Sequence, residues 1–269
     1  VSAREVYTQR ANAAFEAELA ARTVSRDAAF VLPHLRPGMR LLDVGCGPGS
    51  ITLGLAQAVS PGEVVGVDIQ AAQVEQARTL AGSKEITNVR FEAASVYALP
   101  FPDRCFDAAF ANGVVMHLAE PVRALAELRR VLRPGGIAAI RDPDFGASLY
   151  APITPLLERL LALRVRVRRH NGGDPFRPRH YRRLLLEAGF MRAEAGASIE
   201  GGGSEEKTRR HAAFLKAMLG GFGPTLIKHR WMDQAAIAAM AEEIDAWAGR
   251  PDAFYTTTWC ESIGWRSNH

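Results

Sequence analysis

Between residues 40 and 140 the chain alternates short apolar runs with longer stretches of helical periodicity. The runs Arg40–Val44, Val64–Val67, Val89–Glu92, Phe106–Ala111 and Ile137–Arg141 are rich in Val, Ile, Leu, Phe and Ala. They do not alternate strictly with polar residues, which is how strands read when a parallel sheet is covered on both faces by crossover helices. The helical stretches between them end on recognisable stop signals. Ser50–Val59 halts before Pro61-Gly62, Ala71–Ala81 at Gly82, and Glu120–Leu132 at Pro134-Gly135-Gly136. Ahead of the sheet, Arg4–Ala21 reads as an Ala-rich amphipathic helix.

Beyond residue 145 the alternation lapses. Pro152–Arg169 and His180–Ala188 read as helices, Met191–Ile199 as a strand, and Gly201-Gly202-Gly203 as a flexible break. Ser204–Leu219 follows with Ser204 as N-cap and Glu205 and Glu206 in its first turn. Asp233–Ala248 is a further helix closed by Gly249 and Pro251, and Phe254–Ile263, rich in Thr and aromatics, is the last strand. The pattern predicts an α/β fold: a doubly wound, mostly parallel seven-stranded sheet with helices on both faces and helical cap insertions.

The chemistry starts at Asp43-Val44-Gly45-Cys46-Gly47-Pro48-Gly49, which leaves the first strand and opens a helix. Glycines there let the backbone turn sharply and approach a ligand closely. In open α/β sheets ligands bind outside the carboxyl ends of the strands, and this loop is the first such end. The next strand delivers Asp68, placed to accept the ribose hydroxyls of an adenosine. A dinucleotide fingerprint fails on spacing, because Ser50 or Thr52 stands where its third glycine is needed. Asp43 also suits a cationic ligand better than a pyrophosphate.

Together these residues resemble the class I S-adenosylmethionine-dependent methyltransferases. Ala94–Phe101 resembles the segment that frames the adenine, Phe106-Asp107 and the strand ending at Asn112 the next strand, and Leu132–Gly136 the turn before strand five. The resemblance covers about residues 30–145 and implies S-adenosylmethionine as cofactor, S-adenosylhomocysteine as product, and no metal. It implies cofactor contacts from Asp43, Gly45, Gly47, Asp68, Ile69, Ser95, Val96, Asn112 and His117, and from Tyr7 and Arg10 on an amino-terminal helix closing over the site. Ser95 stands where many relatives carry an acid; a hydroxyl still accepts a hydrogen bond. The expected organisation is one methyltransferase domain over 1–269, with a cap helix at 1–25, a cofactor-binding core at 26–145, substrate-cap insertions at 146–190 and 203–250, and a last strand at 253–266.

Methyl transfer needs alignment and water exclusion, and a base only where the acceptor must lose a proton. His117, just past strand four, and Asp142, just past strand five, are the candidate catalytic residues, with Asp144 beside Asp142. The alternatives are a residue that merely borders the cofactor for His117 and Asp-Pro turn chemistry for the two acids. His170 and His180 read as loop histidines, and Trp231, Trp247, Trp259 and Trp265 as core and cap packing.

Composition narrows the partners. With 48% apolar and 23% charged residues the chain is of ordinary globular type, and no apolar stretch reaches the roughly 20 residues of a membrane span. Val1–Tyr7 has no apolar core like a secretion signal, and three scattered cysteines fit a reducing cytoplasm, the expected location. Cys46 reads as a small buried residue at a tight turn. The net charge is +4, and basic residues concentrate locally at Arg164, Arg166, Arg168 and Arg169, then at Arg177, Arg179, Arg182 and Arg183. A solvated helix face and an anion-binding patch both fit that stripe. The expected acceptor is a small, partly apolar metabolite or natural product, methylated on O, N or C. RNA methylation and cofactor binding without transfer are the competing readings; homo-oligomers stay open.

Overall fold

The computed structural model describes residues 13–268. Helices α1 (Ala13–Ala20) and α2 (Val24–Asp27) precede β1 (Leu41–Val44), α3 (Ser50–Val59) and β2 (Val64–Asp68). Then come α4 (Ala71–Ser83), β3 (Val89–Ala93), β4 (Phe106–Asn112), α5 (Pro121–Val131) and β5 (Leu132–Ala151). The remaining elements are α6 (Pro155–His170), α7 (Tyr181–Glu187), β6 (Arg192–Gly202), α8 (Glu205–Lys228), α9 (Gln234–Ala248) and β7 (Phe254–Trp265). The sheet order is β3-β2-β1-β4-β5-β7-β6, with β7 antiparallel to both neighbours and the other pairs parallel. The expected seven-stranded, mostly parallel, doubly wound sheet is what forms.

Strand periodicity divides the apolar runs between two faces. Leu42 and Val44 join Val65, Val67, Ala109 and Ile140 in a core that α5 and α7 cover with Leu125, Leu128, Leu184 and Leu185. Leu41 instead joins Val64, Ala108 and Phe110 under Ile51, Leu55 and Val59 of α3. β1 thus separates a left and a right half of the sheet, and the chain leaves it in opposite directions at its carboxyl end. That crevice is where α/β sheets take their ligands.

Helices α6, α8 and α9 from the two expected insertions share one core, while α7 packs on the sheet instead. Leu157, Leu160 and Leu163 of α6 pack with Leu215, Phe222 and Leu226 of α8 and Met240, Ile244 and Trp247 of α9 around a separate core. Helix α8 runs on to Lys228 rather than stopping at Leu219, through Gly220, Gly221, Gly223 and Pro224. Burial of Phe222 and Leu226 in the cap core outweighs the weak helix propensity of that stretch.

Two other expectations change. Strand β5 does not end at Arg141 but continues to Ala151, with Asp142 opposite Cys260 and Asp144 opposite Thr258 of β7. Gly201 and Gly202 are not a break: they end β6, paired with Thr256 and Tyr255 of β7. In both places an antiparallel partner distant in sequence takes up backbone groups that a loop would have left to water. The extended β5–β7–β6 edge rises above the crevice and carries the cap. Among the described residues no helix is long and apolar enough to cross a membrane.

Candidate active site

A cavity of about 580 Å³ opens at the carboxyl ends of β1, β2 and β4 and continues beneath the cap. One wall holds Asp43, Gly45, Gly47, Asp68, Ile69 and Asn112; Val96 and His117 also line it. The glycine loop is built as the motif requires. Gly45 has φ +69°, and a Cβ there would lie 2.3 Å from Val114 Cγ2, so no larger residue fits. Gly47 has φ +52° and donates its N–H to Asp68 Oδ2 at 3.0 Å, while Gln70 N–H donates to Asp68 Oδ1 at 2.9 Å. Each carboxylate oxygen retains a second lone pair for another donor. Burial pushes the Asp68 carboxyl up, and the backbone N–H groups of Gln70, Gly47 and Ile69 pull it back.

Asp43 is buried and accepts the Thr52 hydroxyl at 2.6 Å. Burial pushes its pKa up to about 7, with Thr52 opposing and the Asp68 charge adding to the rise. A cationic ligand favours the carboxylate, so the complex titrates below the free protein. Ligand affinity is therefore full above pH 7 and falls as the pH drops through it, by about tenfold per unit until the complex itself protonates. Calorimetry with S-adenosylhomocysteine in buffers of different ionisation enthalpy should show proton release near pH 6.5, and Asp43→Asn should abolish it.

Asn112 ends β4, and neither its Oδ1 nor its Nδ2 has a hydrogen-bond partner among the described residues; Gln73 Oε1 is in the same position. Both side chains are buried and line the cavity. Orphaned buried amides of this kind call for a polar ligand.

The remaining expected residues divide. His117 sits on the short 3-10 turn Val115–His117 at the cavity, half-buried. Its pKa is pushed down to about 3 by burial, then by Arg168, Arg177 and Arg22. Ser95 is not among the cavity residues; its hydroxyl accepts the Tyr97 N–H at 3.2 Å and closes a turn. Asp142 is not there either, because β5 continues past it: fully buried, it accepts the Tyr181 hydroxyl at 2.5 Å, and burial raises its pKa to about 7. Asp142 thus faces Tyr181 rather than standing on the cavity wall. Asp144 is tied by Arg179 at 2.6 Å. Tyr7 and Arg10 lie outside the described residues.

The profile of a family described as a methyltransferase domain matches residues 35–166. An uncharacterized methyltransferase of Schizosaccharomyces pombe is 34% identical over 176 residues, 63% of this chain and 63% of that relative. The chain thus spans about three fifths of that relative's length. A protein of Aspergillus luteorubrus with the name probable methyltransferase ltbC is 29% identical over 268 residues, 91% of this chain and 92% of that one. Over residues 35–166 this chain is similar to the class I S-adenosylmethionine-dependent methyltransferases. Among solved structures the [4+2]-cyclase SpnF shares the fold, with a TM-score of 0.54 and 24% identity over 94% of this chain and 81% of that one.

Several residues of the cavity carry no signal in the sequence pattern. Trp259 of β7 lines it rather than packing in a core, with the Arg141 guanidinium 4.1 Å and that of Arg22 5.8 Å from its ring. His211 of α8 stacks on Tyr255 at 3.7 Å and shares a 2.9 Å hydrogen bond with the Tyr150 hydroxyl. The arginine stripe also separates. Arg177 donates to the carbonyls of Val115 and Leu118, Arg182 to that of Ala193, and Arg183 pairs with Glu187. Arg166 and Arg169 lie over Trp231 and Phe176, while Arg164 and Arg168 turn into the cavity. His170 packs on His229 and Trp231, and neither it nor His180 lines the cavity. Cys46 is buried, and its thiol is pushed far up by burial and by Asp43 and Asp68, which leaves it inert.

Proposed function

We propose that this methyltransferase moves a methyl group from S-adenosylmethionine to a small, partly apolar acceptor held under the cap. The observation that carries this reading is one continuous cavity, lined at one end by Asp43, Gly47 and Asp68 and at the other by Phe145, His211 and Phe214 of the cap. Its orphaned Asn112 and Gln73 amides, its Gly47 cradle and its two carboxylates fit the cofactor's donors and its ammonium. The cofactor supplies an activated methyl on a sulfonium centre.

The chain's own part is to hold, orient and exclude water. Asp68 accepts hydroxyl hydrogens, Asp43 balances a positive charge, and Phe145, Phe214 and Trp259 wall off solvent. His117 stays neutral across the working pH range, so it orients an acceptor by hydrogen bonding and is a weak proton acceptor. His117→Ala is expected to lower turnover about ten- to a hundredfold while leaving S-adenosylhomocysteine affinity within about threefold. At saturating cofactor the wild-type pH profile of kcat should show no inflection near pH 6.5 from this imidazole. An equal loss of cofactor affinity would reassign His117 to cofactor binding.

A small acceptor is favoured over RNA because much of the basic stripe is engaged within the fold, as the contacts of Arg177, Arg179, Arg182 and Arg183 show. Incubation with methyl-labelled S-adenosylmethionine and a metabolite extract tests the proposal. Acceptor-dependent S-adenosylhomocysteine is the expected product, and the labelled metabolite identifies the acceptor. Cofactor binding without any such product would favour a binding protein, or a different reaction such as the cyclase on this fold.

A further inference from the structure

The cap end of the cavity holds two buried arginines that methyl transfer by itself does not need. Arg164 and Arg168 lie one turn apart on α6, 4% and 3% exposed, and both line the cavity. Each guanidinium carbon is 4.2 Å from the centroid of the Phe145 ring, which lines it as well. Arg164 donates to the Tyr150 hydroxyl at 3.1 Å, but it enters no ion pair among the described residues, and its Nε has no hydrogen-bond partner. A buried guanidinium without a counter-charge is costly, more so beside another cation.

The acids of the cavity are engaged elsewhere. Asp27 and Glu200 hold Arg141 and Arg26, Glu18 holds Arg210, and Asp43 and Asp68 stand at the glycine loop. The two histidines at this end point the same way. Burial and then Arg164 lower the pKa of His211, and burial and then Arg168, Arg177 and Arg22 that of His117. The chamber is therefore aromatic-walled and basic, and its Arg164 has no counter-charge among the described residues.

We propose that the acceptor carries an oxyanion, a carboxylate or a phosphate, which seats against Arg164 and Arg168 beside Phe145 and fixes which end of the molecule meets the methyl group. This rests on the methyl-transfer reading above and adds the acceptor's charge to it. Arginine's planar fork suits either oxyanion, and Phe145 suits an apolar body attached to it.

The test uses the full chain saturated with S-adenosylhomocysteine and three probes of similar size: benzoate, phenyl phosphate and neutral methyl benzoate. Calorimetry or ligand-observed NMR should show at least one anion binding about tenfold or more tighter than the ester. The tighter of the two tells carboxylate from phosphate. Arg164→Gln should erase the preference and Arg164→Lys should keep most of it, with S-adenosylhomocysteine affinity unchanged in both. Equal binding of ester and anions to the wild-type protein overturns the proposal, whatever the variants do. So does failure of both anions to bind up to about 10 mM, or a preference that survives in a folded Arg164→Gln. Failure of S-adenosylhomocysteine itself to bind would instead overturn the methyl-transfer reading.

Discussion

Asp68→Ala is expected to weaken S-adenosylhomocysteine binding by about a hundredfold, roughly 2.7 kcal/mol. Two effects add. The substitution deletes a buried carboxylate that would accept the ribose hydroxyls, and hydrogen bonds to a charged group contribute about 1.5–3 kcal/mol each. It also removes the acceptor for the Gly47 and Gln70 N–H groups, which hold the glycine loop against β2. Asp68→Asn keeps one acceptor oxygen and should lose less. Calorimetry decides the matter: unchanged affinity in Asp68→Ala would mean that the ribose sits elsewhere.

Arg141→Met should cost about 3–5 kcal/mol of folding stability, the range seen when one partner of a buried ion pair is removed. Arg141 is fully buried and pairs with Asp27 at 3.3 Å, Glu200 at 2.6 Å and Glu261 at 3.2 Å, under the face of Trp259. These residues come from α2, β5, β6 and β7, so one cation ties the amino-terminal segment to the antiparallel edge of the sheet. Its loss leaves Asp27, 1% exposed, with Arg26 as its one cationic partner among the described residues and the Thr23 N–H as a further donor. Urea denaturation should show a lower midpoint at unchanged slope. Arg141→Met/Asp27→Asn should recover part of the loss, and a cost under about 1 kcal/mol would mean that water reaches the cluster.

Adjacent residues of β5 show how differently the sequence spoke about them. Asp142 looked like a rim acid because strand five was expected to end at Arg141, yet strand pairing with Cys260 carries it into the core against Tyr181. Arg141, one residue earlier, attracted no functional reading, and period-two alternation sends it to the opposite side, into the charge cluster. Likewise, four arginines in α6 read as a single stripe. Helical geometry turns Arg164 and Arg168 inward at i and i+4 and leaves Arg166 and Arg169 over surface aromatics.

By itself the sequence determined the elements whose signals are local. The apolar runs at β1 to β4, the stop signals after α3 and α4, and the loop from Asp43 to Gly49 with Asp68 after it depend on neighbours within a few residues. Backbone conformation and strand periodicity act over that same short range. Only the tertiary structure decided what the cavity beneath the cap is made of. Trp259, His211, Phe145, Arg164 and Glu200 meet because β5, β6 and β7 pair antiparallel and α6 packs on α8. Those strand pairings join residues 53 to 128 positions apart, from Gly202 with Tyr255 to Ile137 with Trp265. Burial, which makes Arg164 a buried cation and holds His117 neutral, belongs to the assembled packing and not to any stretch of chain.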